Sequence, residues 1–589
     1  MSYKTLMTVL SATFLLSACG KDSPTPDMTL PSLGNRLSTQ SVVSHGPMSY
    51  SVDGHRVHIA SNEIVIRPED LTKLHSMFPA LRSRVLLDGT LPLPPADVLD
   101  QLPGKRPLAV PPMPRALVEL QIPPMSDQAI SAILQKAAGG RQVSFNDERS
   151  KTFVAWVLQA ADALDADIDF NQLYHSNYST AEHPLYDYVR ASPWWTTQAQ
   201  FSGSQTFWWL NEQSTNLARM AGGEKPTWEM TTPSGAALNG QGVSVAVIDV
   251  GFAPNNMDLV GYDPLQGFSV AGGWTTSQYD FTDNDYAVCN PACWSAPGLS
   301  TGQKTHGAVI SQLIFGTHDN HYGVAGVAPM ANRMYFRVAA EPNDYDVVYR
   351  QTRVGDIDGY RAASAVRTAA SWGAKVINMS FGNPYPTSAD LTTKDTGPSD
   401  SELMRAIEEV GRSYADVIFI ASAGNYQETL VDDGWKYGPG RTATWSNLKV
   451  IPASLPQVIS VGGLAPSQSG SLPTLWADSA KGDGVDVYAP ASNVGFPFDM
   501  TSACYPVDNS QCAFTGMLNA NLTNYHARNG TSYAAPIVSG IVALMKQVKP
   551  SLTVAEAREI LKNTSRPTAS PPYLQVNSKA ALLAVGGVQ

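Results

Sequence analysis

The sequence predicts an α/β protein: a doubly wound, mostly parallel sheet in its C-terminal part, preceded by a small α+β unit. Three observations predict it. From about residue 240 onward, short and almost wholly apolar runs are separated by helical segments, the pattern of a parallel sheet covered on both faces. Hydrophobic residues make up 43% of the 589, enough for packed cores and incompatible with a disordered chain. Glycine and proline, 46 and 42 residues, follow no strict triplet period, so they mark turns rather than a collagen-like rod. At about 150 residues per domain the length makes two to four domains. Only 15% of residues are charged and the net charge is −11, so no basic surface offers itself to nucleic acid.

Taken in order, the elements begin with an export signal. Residues 1–18 carry one cation, Lys4, an apolar stretch from Leu6 to Leu16, and the small residues Ser17 and Ala18. The stretch is shorter than the about 20 residues of a membrane span, which makes it a signal peptide. Leu16-Ser17-Ala18-Cys19 resembles the lipobox of bacterial lipoproteins, which implies a membrane anchor through a lipid on Cys19. Residues 19–55, rich in Ser, Pro, Thr and Gly, read as a flexible tether.

Residues 56–180 read as the α+β unit. Strands are predicted at Asn62–Ile66 and Ala116–Leu120. One helix is predicted after a Ser126 cap, with Ile130, Ile133, Leu134 and Ala137 on one face; a second runs through Phe153, Val154, Val157, Leu158, Ala161 and Leu164. The Pro-rich run from Pro92 to Pro114 reads as loop. Residues 181–239 carry Trp194, Trp195, Trp208, Trp209 and Trp228 and read as an arm packed on the next domain.

Residues 240–589 hold the sheet. Strands are predicted at Val243–Ile248, Arg333–Val338, Val376–Met379, Val417–Ala421, Val458–Val461 and Val485–Tyr488. Helices are predicted at about His306–Phe315, Gly359–Trp372, Ser401–Tyr414, Ser532–Lys546 and Val554–Asn563. In open α/β sheets the ligand crevice lies at the carboxyl ends of the strands, so the polar residues where an apolar strand stops are informative. One such stop is Asp249, a second Ser380-Phe381-Gly382, a third Ser422-Ala423-Gly424-Asn425. Thr305-His306-Gly307 opens one apolar helix and Gly530-Thr531-Ser532-Tyr533-Ala534-Ala535-Pro536 opens another. Acyl transfer needs a nucleophilic oxygen, a base of near-neutral pKa, a carboxylate to hold that base, and a donor for the developing oxyanion. All four are supplied.

The chain order Asp249, His306, Ser532 and the Gly-Thr-Ser-x-Ala-x-Pro helix opening resemble the subtilase family of serine peptidases, over about Gly240 to Arg566. The resemblance implies a subtilisin-like fold and endopeptidase activity on protein or peptide substrates. It makes Ser532 the nucleophile, His306 the base, Asp249 its orienting carboxylate and Asn425 the oxyanion donor. Ser380, Phe381 and Gly382 would bind substrate as an added strand. The α+β unit would be the chain's own inhibitory propeptide, with self-cleavage between about Phe170 and Ser192; a substrate-binding module is the other reading. Val250 stands where the family has a hydroxyl residue, Ala308 replaces Thr and Tyr533 replaces Met.

With Cys19 set aside, four cysteines form two local pairs, Cys289 with Cys293 and Cys504 with Cys512, as disulfides or as one zinc site. Asp280, Asp283 and Asp285 cluster oxygens of the kind calcium takes, or form a solvated turn; no other cofactor is implied. A binding-only protein and a hydrolase of other esters or amides stay open. The expected location is outside the cytoplasm, on the outer membrane or cell surface, with release into the medium after processing.

Overall fold

The computed structural model describes residues within 48–176, 227–252, 257–288, 306–339, 345–385, 402–425, 449–497 and 525–588, apart from short gaps. All belong to one compact unit, Ser44–Gln589. Its central sheet has ten strands. Along the main path these are Thr276–Asp280, Asn332–Arg337, Ser244–Asp249, Val376–Met379, Ile418–Ser422, Val458–Ala465, Val487–Pro490, Leu574–Gln575 and Arg566–Pro567. Every pairing on that path is parallel until Leu574–Gln575 meets Arg566–Pro567. The apolar runs thus do what their composition predicts, because strands covered on both faces have no polar side to show.

Successive side chains of Ser244–Asp249 point to opposite faces. Val245 and Val247 join one core, which includes the helices His306–Phe315, Thr531–Val548 and Val554–Thr564. Ala246 and Ile248 join the other, against the helices Gly359–Ser371 and Glu402–Ser413.

The strands and helices of the α+β unit enclose a core cluster. Ser126 caps Asp127–Ala138 by accepting from the Ala129 amide at 3.3 Å, and Asp147 caps Glu148–Leu164 by accepting from Ser150 at 2.6 Å. Its sheet does not end at its own edge. Strand His55–Ile66 pairs with Asp169–Ser176, and the latter pairs in turn with Asp356–Asp358 and with Phe381–Tyr385, so nine strands run continuously from one unit into the other. Val65, Leu117 and Tyr174 correspondingly belong to the core that holds Gly359–Ser371.

Three readings of the sequence are corrected. The stretch taken as tether contains the strand Met48–Val52, whose Met48, Tyr50 and Val52 are buried at alternate positions; three apolar residues among serines were too short a run to stand out. Strand His55–Ile66 begins well before Asn62, and a register shift between Ile59 and Ile64 breaks the alternation that would have announced it. The Pro-rich run contains a helix, Ala96–Gln101, which starts directly after Pro95 and ends before Pro103, so neither proline removes a helical hydrogen bond. Of the Trp-rich arm only residues 227–239 are described. Trp228 is buried there, its indole N–H donating to the Val327 carbonyl at 3.1 Å. Trp194, Trp195, Trp208 and Trp209, like Cys19, Cys289, Cys293, Cys504 and Cys512, lie outside the described residues.

Candidate active site

The parallel register brings the strand ends to one edge: Asp249 lies beside Arg337, and Met379 beside Ile248 and Ala421. Asp249 is fully buried, and the Val250 amide donates to its Oδ1 at 2.7 Å. The position where a hydroxyl was missed therefore contributes through its backbone. His306 begins its helix with Nδ1 at 2.8 Å and 2.9 Å from the two Asp249 oxygens. Gly307 makes this approach possible, since a Cβ there would stand 2.6 Å from the Gly251 carbonyl oxygen and 2.8 Å from Asp249 Cβ. A carboxylate on Nδ1 fixes the tautomer and leaves Nε2 as the basic nitrogen. Tyr533 is buried, its ring 6.1 Å from that of His306.

Ser532 sits in the first turn of Thr531–Val548, and its hydroxyl donates to the Ser380 carbonyl at 2.9 Å. The reverse bond is also present: Ser380 Oγ donates to the Ser532 carbonyl at 2.9 Å. Pro536 explains why that carbonyl needs an outside donor. A helical carbonyl accepts from the residue four positions on, and Pro536 has no N–H to give. Ser539 Oγ bonds Asn378 Oδ1 at 3.0 Å, and Asn378 Nδ2 bonds Ser380 Oγ at 2.9 Å, so a buried polar chain carries the clasp back to the helix. Sequence reasoning missed Asn378 and Ser539; a proline four residues after the serine was the available signal. Ser380→Ala should strand the Ser532 carbonyl and cost about 1–3 kcal/mol. Adding Pro536→Ala, which returns an N–H, should recover part of that loss in denaturant unfolding.

Asn425 follows Gly424, whose φ of +107° suits glycine. Thr531 gives Asn425 Oδ1 two hydrogen bonds, from its amide at 2.9 Å and its hydroxyl at 2.8 Å. An amide N–H can only donate, so the oxygen of Asn425 must face Thr531 and its NH2 must point the other way. That Nδ2 is buried and has no hydrogen-bond partner among the described residues. The Asn425 oxygen is thus fixed by Thr531, the residue before Ser532.

Phe381 and Gly382 lie in the strand Phe381–Tyr385, opposite Ser176 and His175. On its other edge Asp169–Ser176 meets Asp356–Asp358, which the sequence did not single out, with Tyr174 opposite Ile357. The residues expected to pair with substrate are thus paired with the chain's own strand.

Of the three carboxylates 280, 283 and 285, the first two meet at the Arg337 guanidinium. Burial raises the pKa of Asp280 and Arg337 opposes it. The Arg337 guanidinium lies 2.8 Å from Asp280 and 3.2 Å from Asp283, supplying a cationic partner to both. Asp285 instead pairs its backbone with Asp280. No group of His, Cys, Asp and Glu that could hold a metal occurs among the described residues.

A serine and an oriented histidine–aspartate pair at the carboxyl edge of a parallel sheet, with an amide donor alongside, have the composition of a serine hydrolase site. The sequence pattern of the subtilase family (peptidase S8) matches residues 240–582, more than half the chain. The chain belongs to that family of serine peptidases, and its fold is subtilisin-like. Mycosin-1 of Mycobacterium tuberculosis is 30% identical over 339 residues, covering 56% of this chain and 64% of its own length. Thermitase of Thermoactinomyces vulgaris is 26% identical over 258 residues, 40% of this chain and 80% of thermitase. Fervidolysin from Fervidobacterium pennivorans, a keratinolytic enzyme related to subtilisin, aligns in structure with 91% of this chain and 61% of its own, at a TM-score of 0.52 and 19% identity. That last likeness is one of fold.

Proposed function

We propose that the chain is an exported serine endopeptidase made as a self-processed precursor. The observation that carries the reading is the strand Asp169–Ser176, held between Asp356–Asp358 and Phe381–Tyr385. A cleft that accepts an extended backbone as an added strand is built for polypeptide, which favours a peptidase over a hydrolase of simple esters.

In this reading Ser532 Oγ turns from the Ser380 carbonyl to His306, an adjustment usual between resting and substrate-bound sites. His306 takes its proton and later gives it to the leaving amine; Asp249 holds the ring. Asn425 Nδ2 receives the oxyanion, helped by the positive end of the serine helix. The α+β unit acts as propeptide, Cys19 carries a lipid anchor, and the pairs Cys289–Cys293 and Cys504–Cys512 form local disulfides. Relatives include an extracellular protease of Xanthomonas campestris, which supports export.

Hydrolysis of casein against hydrolysis of a simple acyl ester tests the substrate class. Casein should be cut, and Ser532→Ala should abolish the cutting; turnover of the ester alone would overturn the reading. Asn425→Leu should lower kcat by roughly 10² to 10³ with little change in KM. Full kcat in that variant would remove Asn425 from the mechanism.

A further inference from the structure

We infer that Asn378 is a positioning residue for the serine: with Ser539 it fixes Ser380, and through Ser380 the place of the Ser532 hydroxyl. The inference rests on Ser532 acting as the nucleophile, as proposed above, and it is carried by a gap in the strand pairing. Val376–Met379 pairs with its neighbours as far as Met379, and Phe381–Tyr385 begins its own pairing at Phe381. Ser380, between them, belongs to no ladder among the described residues. Its carbonyl is nonetheless the group that holds Ser532 Oγ, at 2.9 Å. Side-chain bonds therefore have to fix the backbone here.

Alternate strand positions face opposite ways. Ile377 and Met379 accordingly join the core under Gly359–Ser371, and Val376 joins the core that holds the serine helix. Asn378, on the Val376 face, meets that helix at Ser539, about two turns on from Ser532. The protons of the chain can be assigned from its end. A carbonyl only accepts, so Ser380 Oγ gives its one hydrogen to the Ser532 carbonyl at 2.9 Å. It must then accept from Asn378 Nδ2, also at 2.9 Å, which turns Asn378 Oδ1 toward the Ser539 hydroxyl at 3.0 Å. Ser539 Oγ also lies 3.0 Å from the Ala535 carbonyl, which keeps that hydroxyl against its own helix. Asn378, Ser380, Ser532 and Ser539 are all fully buried, so bulk water does not compete for these bonds.

The two bonds between Ser380 and Ser532 have different fates in the reaction. To reach His306, the Ser532 hydroxyl must leave the Ser380 carbonyl. The bond from Ser380 Oγ to the Ser532 carbonyl needs no change, and it holds the serine backbone while the hydroxyl turns. No helical bond does this instead, because Pro536 has no N–H. Asn378 keeps the pivot in place by fixing which way the Ser380 hydroxyl points. Without the Asn378 N–H, Ser380 Oγ can rotate, and the turn that carries Ser532 shifts against His306. The bonds involved spare Phe381 and Gly382, the residues expected to pair with substrate, so the loss falls on kcat rather than KM.

The test is steady-state kinetics on a peptide substrate, per active site titrated with a fluorophosphonate, together with thermal unfolding. The full chain is compared as wild type, Asn378→Ala, Ser380→Ala, the double variant, Ser539→Ala and Ser532→Ala. Asn378→Ala should lower kcat by roughly 10 to 10², as expected for a displacement of about 1 Å at the reacting atom, with KM moved less than about twofold. Because Asn378 acts through Ser380, adding Asn378→Ala to Ser380→Ala should lower kcat no further. Ser539→Ala, which leaves the Asn378 N–H and frees its oxygen, should give a smaller fall in kcat. Unchanged kcat beside a lowered melting temperature overturns the inference and assigns the chain to stability. That outcome is read in Asn378→Ala or, if it yields no titratable sites, in Ser539→Ala. Losses that multiply in the double variant also overturn the inference and spare the peptidase reading. A Ser532→Ala chain that still cuts the peptide overturns both.

Discussion

Ser532→Ala is expected to lower kcat on a peptide substrate by roughly 10⁶, and His306→Ala in the same chain to cost almost nothing more. The reason is that, in the proposed mechanism, the two side chains form one proton-transfer unit. Once the hydroxyl is gone, the imidazole that Asp249 holds at 2.8 Å has nothing to deprotonate. What remains, about 10³ to 10⁴ over water, comes from substrate binding and the oxyanion donor. Asn425→Leu should therefore still lower that residue of activity in the Ser532→Ala background. A double variant whose losses multiply would show that serine and histidine act independently.

Breaking the ion pairs between the α+β unit and the catalytic part should have the second largest effect. Arg115 is 2% exposed and lies 2.5 Å from both Glu402 and Asp169; Arg405 joins them at 3.1 Å and 3.4 Å. Burial acts to discharge the Arg115 guanidinium, but Asp169 and Glu402 outweigh it and raise its pKa, so the cation persists at any working pH. Arg115→Met leaves the Glu402 and Asp169 carboxylates with Arg405 as their shared cation, at a cost of up to about 3–5 kcal/mol. On the propeptide reading, at about 1.4 kcal/mol per tenfold the cut α+β unit should bind the catalytic part roughly 10² to over 10³ times more weakly, read as its inhibition constant. Replacing Glu402 and Asp169 by Leu in the same chain should recover much of the affinity, because an apolar contact carries no such desolvation debt. Equal weakening in both variants would assign the loss to packing.

How much was legible in the sequence follows from how local each signal is. The strands of the central sheet were readable because burial on both faces leaves an unbroken apolar run, and Asp249 because a carboxylate ending such a run is conspicuous. Ser532 stood in a helix opening with its own spacing of small residues. Asn378 and Ser539 were not readable. Each is a polar residue within an apolar element, and only the fold shows that they satisfy one another and hold Ser380. Asp356–Asp358 was hidden for a different reason. A three-residue strand has no period to detect, and its partner lies far back in the sequence. The Asn425 amide orientation likewise depends on Thr531, more than a hundred residues away.

The strand Asp169–Ser176 has neighbours on both sides, not one. A severed end on an edge strand can peel away bond by bond, but here two ladders must open together while Tyr174 leaves its pocket. If the chain is self-processed as proposed, cutting the backbone and freeing the cleft would be separate events on separate timescales, the first set by chemistry and the second by dissociation. On the precursor reading proposed above, the molecule would carry a delay: between scission and activity it would remain a nicked, silent complex. Its lifetime depends on how slowly one short strand unzips.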